Sequence, residues 1–208
     1  MSILDAFTED KYRVGDLHAR GYLRTDFPEG YLGLIYQKLK GDRYSNRNPN
    51  GTGILESLFF GMDISWDSIT SYLSKTPLVI MGRWDGEEFT PAGIIFRTVT
   101  VAGGKGIMAG YAFFREYWGS VDAEALGLLG LAFMFQELKL EVVLGIRYED
   151  NHQTKHFLTR FGFKDTGFHP RWEMKKGVLV PCVTSCLLRE DFEAYVEKVL
   201  IEAYSQKK

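Results

Sequence analysis

A helix that is apolar on nearly all sides is the feature that most constrains this chain. The segment from about Asp122 to Leu138 keeps helical spacing of its apolar residues, and Leu128 and Phe135 widen the stripe almost to the full circumference. Its most apolar run, LGLLGLAFMF (126–135), is far shorter than the roughly 20 residues that span a bilayer. We therefore expect a helix covered on several sides, as when a helix packs across a sheet.

Strand patterns lie on both sides of this helix. PLVIMGRW, AGIIFRTVTV and IMAGYAFF, separated by turn sequences, predict an antiparallel meander from Leu78 to Phe114. EVVLGIRY follows the helix as a strand, a short helix spans His152 to Phe161, and two more strands precede an amphipathic C-terminal helix. A long helix between strands implies a parallel crossover. The order predicts an α+β, three-layer α/β/α fold with a mixed, mostly antiparallel sheet and helices on both faces.

The first 76 residues carry weaker signals. YLGLIYQKL has helical spacing, and KGDRYSNRNPNGTG is a polar loop around residues 41–53 that is either a surface excursion or a substrate lid. We expect residues 1–76 to form a helical N-terminal extension packed on the same domain, and residues 77–208 to form the core.

Composition limits the classes of partner. Hydrophobic residues make up 45% and charged residues 25%, with a formal net charge of −2, which disfavours nucleic-acid and membrane-surface binding because both need basic patches. Cys182 and Cys186 lack zinc-type spacing and would share one strand face, so we expect free thiols and no metal site. The start, MSILDAFTEDKYRVGD, lacks a signal-peptide pattern, and together with free thiols this predicts a cytoplasmic protein.

An ordered set of short segments resembles one enzyme family. These segments are YWG (117–119), Glu124 with Ala125, AFMFQELKL (132–140), Asn151 with Thr154, FLTRFGFKDTG (157–167) and SCLLREDFEAY (185–195). Together with the element order, they resemble the GNAT N-acetyltransferase superfamily, closest to its ribosomal-protein N-terminal acetyltransferase branch. The resemblance covers roughly residues 77 to 195, so it implies a GNAT-like sheet and places the acceptor-side helices in the first 76 residues.

The resemblance implies transfer of an acetyl or other acyl group from CoA to an amine of a small molecule or a protein. Acetyl-CoA, or another acyl-CoA, would lie between the fourth and fifth strands of the family fold, with its pyrophosphate on amides at the start of the central helix, where N–H donors are free. The implied cofactor-binding residues are Phe113, Phe114, Ser120, Val121, Asp122, Ala123 and Asn151, and the implied acceptor-pocket residues are Tyr111, Tyr117 and Trp118.

Candidate catalytic residues follow from the same resemblance. Thr154 would lie near the leaving sulfur, and Glu116 is a substitute acid or base. Each has a simpler interpretation: Thr154 as a residue bonded to backbone or solvent, Glu116 as a solvated charge at a strand end, and Asn151 as a helix cap. The positions where many family members have a glutamate and a tyrosine hold Gly145 and Leu158.

The loop WGSVDAEA departs from the family pattern. It lacks a second glycine and any basic residue, and Asp122 would compete with an anionic ligand for the helix amides. The alternative function is therefore a catalytically silent GNAT-fold binding or interaction protein. The acceptor and the oligomeric state are not determined by the sequence, and a homodimer is one option.

Overall fold

The computed structural model describes residues 13–14, 16–22, 29–40, 63–73, 78–85, 87–175 and 178–205. The polar loop around residues 41–53 lies outside these ranges. The strands are β1 Arg13–Val14, β2 Leu17–Tyr22, β3 Leu78–Trp84, β4 Phe89–Val101, β5 Gly106–Phe113, β6 Val142–Tyr148, β7 Lys164–Lys175 and β8 Val178–Leu188. The helices are α1 Glu29–Lys40, α2 Trp66–Leu73, α3 Val121–Gln136, α4 His152–Arg160 and α5 Arg189–Ser205.

All the described strands form one mixed sheet in the order β1-β2-β3-β4-β5-β6-β8-β7. Every neighbouring pair is antiparallel except β5 and β6, which are parallel and joined through α3. A parallel pair needs a long crossover, and α3 provides it. The predicted meander, the crossover helix and the mostly antiparallel sheet are confirmed.

The N-terminal segment differs from the helical extension that we expected. Residues 13–14 and 17–22 are strands, and β2 pairs with β3 from Leu17↔Arg83 to Tyr22↔Leu78. Strand preference depends strongly on the neighbouring strand that supplies hydrogen bonds, which the sequence of β2 alone does not reveal. Helices α1 and α2 do follow, so the described part of residues 1–76 adds both strands and helices to the core.

Two separate hydrophobic cores lie on the two faces of the sheet. One contains apolar residues of α3, α4 and α5, with Ile95 from β4. The other contains residues of α1 and α2, with Ile94 and Phe96 from β4. Successive strand residues point to opposite faces, so β4 contributes to both cores. The three-layer arrangement is thereby confirmed.

Helix α3 is covered on several sides, as its composition predicted. A Cβ atom at Gly127 would lie 2.8 Å from the ring of Phe157, and one at Gly130 would lie 2.4 Å from Ile95. The two glycines therefore let α3 approach α4 on one side and the sheet on another, since larger residues would collide there. This close packing places the start of α4 and the start of α3 around a common space.

The described residues also bear on the thiols and on membrane crossing. Cys182 and Cys186 both lie on β8, form no disulfide, and Cys182 is buried. Within the described ranges, no helix is long and apolar enough to cross a membrane. In the same part of the chain, no group of three or more His, Cys, Asp or Glu residues is arranged to hold a metal ion.

Candidate functional site

Strands β5 and β6 are paired over only part of their length. The parallel register contains Gly106↔Val142, Ile107↔Val143 and Met108↔Leu144. Beyond these pairs, β5 continues to Phe113 and β6 to Tyr148 without pairing to each other. Backbone groups of a strand need partners, so the ends of these two strands offer donors and acceptors to a ligand or to water.

A cavity of about 470 Å³ lies beside the end of β5. It is enclosed by the last residues of β5, the loop before α3, the first turn of α3, and α4. The lining residues are Tyr111, Ala112, Phe113, Trp118, Gly119, Ser120, Ala123, Glu124, His152, Gln153, Thr154, His156, Phe157, Leu158 and Arg160. A mostly apolar wall with a few polar groups is typical of small-molecule sites.

Three aromatic rings form one wall of the cavity. The ring centroid of Tyr111 lies 5.8 Å from that of Phe113 and 5.0 Å from that of Phe157. The Tyr111 hydroxyl donates a hydrogen bond of 2.8 Å to the Gly127 carbonyl, and burial raises the pKa of Tyr111 well above its ordinary value. Tyr111 therefore stays neutral and joins β5 to α3 as a fixed part of the wall.

The loop before α3 is held against the end of β5. The indole Nε1 of Trp118 donates a hydrogen bond of 2.8 Å to the carbonyl oxygen of Phe113. Gly119 follows with φ of +72°, a conformation that residues with a Cβ rarely adopt. The glycine reverses the chain, and the loop reaches the first turn of α3 at the cavity.

Ser120 caps the N-terminus of α3, and two backbone amides of the first turn have no described hydrogen-bond partner. The Ser120 hydroxyl accepts from the Ala123 amide at 3.1 Å and donates to the Tyr117 carbonyl at 2.7 Å. Among the described hydrogen bonds, none engages the amides of Val121 and Asp122. These two amides therefore remain available to an anionic group.

Arginines from other elements pair with both acids of this turn. Arg83 of β3 forms ion pairs with Asp122 and with Asp16, and the Asp122 hydrogen bond contributes most to the raised pKa of Arg83. Arg160 of α4 pairs with Glu124, with 2.7 Å between Nη2 and Oε2. Asp122 is directed to β3 and is not among the described lining residues, contrary to the competing role that its position in the loop suggested.

The N-terminus of α4 forms the other end of the cavity. Asn151 is 6% exposed, and its Oδ1 accepts a hydrogen bond of 3.0 Å from the Thr154 amide. The first turn of α4 contains no acidic residue. Asn151 thus caps α4 without lining the cavity, whereas Thr154 is one of the lining residues.

Several residues singled out from the sequence lie elsewhere. Phe114 is fully buried in the core on the opposite face, and Tyr117 packs against both cores, where burial raises its pKa. Glu116 forms an ion pair with Lys38 of α1. Burial raises the pKa of Glu116, but the Lys38 hydrogen bond, a backbone hydrogen bond and the charge of Lys38 together lower it below its ordinary value.

The cavity brings together about half of the predicted site residues. It contains Tyr111, Phe113, Trp118, Ser120, Ala123 and Thr154, and its lining does not include Phe114, Glu116, Tyr117, Val121, Asp122 or Asn151. Sequence reasoning missed Phe157 and Arg160. The spacing of His152, His156 and Arg160, four residues apart on one helix face, was the signal that could have identified Arg160.

Solved structures that are similar in fold to this chain include several acetyltransferases. A spermidine N-acetyltransferase from Vibrio cholerae, solved with CoA and spermine, is 16% identical, covers 86% of this chain and 99% of its own, and has a TM-score of 0.65. A probable acetyltransferase of the GNAT family from Chromobacterium violaceum is 16% identical over 88% of this chain and 87% of its own, with a TM-score of 0.64.

An acetyltransferase of the GNAT family from Bacillus anthracis is 13% identical over 86% of this chain and 98% of its own, with a TM-score of 0.60. No family model and no curated protein sequence matches the chain. The likeness is thus one of structure at low identity. This chain has the fold of the GNAT acetyltransferases.

Proposed function

We propose that this protein is a CoA-dependent N-acyltransferase, which transfers an acetyl or other acyl group from CoA to an amine. The observation that carries the proposal is the divergence of β5 and β6 beside the cavity. Pairing stops after Met108↔Leu144, and the cavity extends from the capped start of α3 to the capped start of α4. A gap of this kind fits an extended ligand with an anionic end.

The residues present fit an acyl-CoA. The aromatic wall of Tyr111, Phe113 and Phe157 suits the pantetheine arm. The amides of Val121 and Asp122 lie between the lining residues Ser120 and Ala123 in sequence and suit a phosphate at the mouth of the cavity. When bound, the acyl-CoA would supply a thioester: a C–N bond would form between the amine and the acyl carbon, the C–S bond would break, and CoA would leave as its thiolate. The start of α4 also lines the cavity, and it contributes the hydroxyl of Thr154.

Thr154 is the proposed catalytic residue. Its hydroxyl would donate a hydrogen bond to the leaving sulfur. The backbone of Thr154 is held in place by the hydrogen bond from its amide N–H to the buried Asn151 side chain. Asn151 thereby acts as a positioning residue. Glu116 is a weaker candidate base, because its ion pair with Lys38 lowers its pKa and it lies outside the cavity lining. Loss of the amine proton to water is consistent with this arrangement.

The acceptor is an amine, and its finer class is part of the proposal. The Vibrio cholerae relative in fold is named for spermidine, which supports a small-molecule amine. The resemblance to the ribosomal-protein branch supports a protein N-terminus instead. We favour the small molecule, and a cytoplasmic location remains a prediction.

A test begins with binding and continues with turnover. Isothermal titration with acetyl-CoA and free CoA measures affinity, and a thiol assay measures CoA release with polyamines, amino acids and peptides with free N-termini as acceptors. We expect saturable binding of both ligands, and amine-dependent thiol release with at least one class. No binding at millimolar acetyl-CoA contradicts the proposal.

The alternative is a GNAT-fold binding protein without catalytic activity. The observation that favours it is the apolar surrounding of Gly145 on β6, where a Cβ would lie 3.4 Å from Leu158. By the resemblance described above, Gly145 and Leu158 occupy the two positions where many GNAT family members have a catalytic acid or base. CoA binding without thiol release for any acceptor class would support this alternative.

A further inference from the structure

One face of α4 presents nitrogen-bearing side chains to the cavity. His152, His156 and Arg160 follow one another at intervals of four residues, and all three are lining residues. Arg160 ends the helix, beside the first turn of α3, while His152 begins it near Thr154. Among the described residues that line the cavity, Arg160 is the single Lys or Arg side chain.

Arg160 is held at this place by an ion pair that costs little to open. Its guanidinium contacts the Glu124 carboxylate at 2.7 Å, and the two side chains are 51% and 27% exposed. Ion pairs at such exposure contribute little to stability because water screens them. A second anion of higher charge can therefore replace the Glu124 carboxylate without unfolding either helix.

The loop before α3 supplies no cation of its own. WGSVDAEA contains no Lys or Arg, and Arg83, the other arginine at this turn, is paired with both Asp16 and Asp122 outside the lining. A guanidinium is the side chain best matched to phosphate, because its N–H groups form parallel bonds with two oxygens. Arg160 pairs with Glu124 of the first turn of α3, and the Val121 and Asp122 amides of that same turn take part in none of the described hydrogen bonds.

We propose that Arg160 binds the phosphates of the CoA-type ligand and that Glu124 competes with them for its guanidinium. This inference rests on the proposed function. Phosphate binding would break the Glu124–Arg160 contact, and release of the ligand would restore it. The cation missing from the glycine loop is thus replaced by one from the end of α4.

The test is titration calorimetry with CoA and with pantetheine, which lacks phosphate. We compare the unmodified protein with Arg160→Gln, Glu124→Gln and Lys164→Gln. The last removes a positive charge from an exposed pair with Asp191 that is outside the cavity lining, and so controls for net charge. Circular dichroism and thermal unfolding check that each variant is folded, and Arg160→Lys keeps the charge while losing the paired N–H geometry.

Arg160→Gln should weaken CoA binding about tenfold or more, since one charge-assisted hydrogen bond is lost at minimum. Glu124→Gln should tighten CoA binding, Arg160→Lys should lie between Arg160→Gln and the unmodified protein, and Lys164→Gln should leave the affinity unchanged. Pantetheine affinity should not change in any variant, and CoA binding without measurable pantetheine binding also supports a phosphate contact.

The inference is overturned if Arg160→Gln leaves CoA affinity unchanged, or if CoA and pantetheine weaken equally. In those cases CoA still binds the unmodified protein, and the proposed function stands. If the unmodified protein binds neither ligand, the proposed function and this inference fail together.

Discussion

The N-termini of α3 and α4 close the same cavity but differ in charge and burial. Ser120 caps α3 at a part-buried position, and the turn that follows contains Asp122 and Glu124, each paired with an arginine from another element. Asn151 caps α4 from a buried position, and no acid follows. In the proposed function the N-terminus of α3, with its paired charges, binds phosphate, and the N-terminus of α4, which has no acid in its first turn, binds near the thioester. The predictions below test this division.

The largest expected effect is on turnover at the neutral end. Thr154→Ala should lower kcat about 100-fold, because the proposed donor to the leaving sulfur is lost. Thr154→Ser should recover most of the rate. The control is Thr159→Ala, which changes an exposed threonine of the same helix outside the cavity lining. Steady-state thiol release measures all three, and an unchanged kcat in Thr154→Ala removes Thr154 from the mechanism.

The second prediction concerns the contact that sets the spacing of the two ends. Gly127→Ala should destabilise the protein by about 1–3 kcal/mol, because its Cβ would lie 2.8 Å from Phe157 and 2.9 Å from Phe161. Urea unfolding measures the effect. Gly33→Ala in α1 is the matched control, since its nearest atom is at an ordinary 3.7 Å and alanine favours helices, so it should be neutral or stabilising. Equal effects at both sites contradict the close packing of α3 and α4.

The third prediction compares the caps themselves. Asn151→Ala should lower the free energy of unfolding by about 1–2 kcal/mol, and Ser120→Ala by about 0.5–1 kcal/mol. The difference is expected because Asn151 is buried, whereas Ser120 is partly accessible to water. Asn151→Asp keeps the acceptor oxygen and serves as the control. Denaturant unfolding with a constant m-value measures the order, and a larger loss in Ser120→Ala would reverse the assignment of the buried end.

The smallest effect is expected at Asp122. Asp122→Asn should change CoA affinity less than twofold, since its carboxylate is directed to Arg83 rather than into the cavity. Stability should fall by less than about 1 kcal/mol, as for other exposed ion pairs. Titration calorimetry with CoA measures the affinity of Asp122→Asn and of Glu124→Gln side by side. A marked tightening in Asp122→Asn would show that this carboxylate does oppose the phosphate.

Much of the fold could be predicted because the sequence patterns that indicate its helices and strands are local. Apolar spacing located α3, alternation located β3 to β5, and Asn151 was identified as a cap before the helix that it begins. The strands β1 and β2 were not predicted, since their hydrogen bonds come from β3, which is distant in sequence. The roles assigned to Thr154 and Asn151 remain predictions from resemblance.

The site was predicted less completely because its charges pair across long sequence separations. Nothing in WGSVDAEA indicates that Asp122 meets Arg83 or that Glu124 meets Arg160. A loop that looks unsuited to phosphate when read alone therefore acquires its cation from another helix.

The sequence by itself determined a buried crossover helix, most of the sheet into which it is inserted, and the cap of α4 at Asn151. These follow from hydrophobic periodicity and from hydrogen bonds within a few residues. Only the tertiary structure decided where β5 and β6 part, which way Asp122 is directed, and that Arg160 reaches the first turn of α3. Such features depend on contacts between distant segments, and close packing rather than local preference determines them.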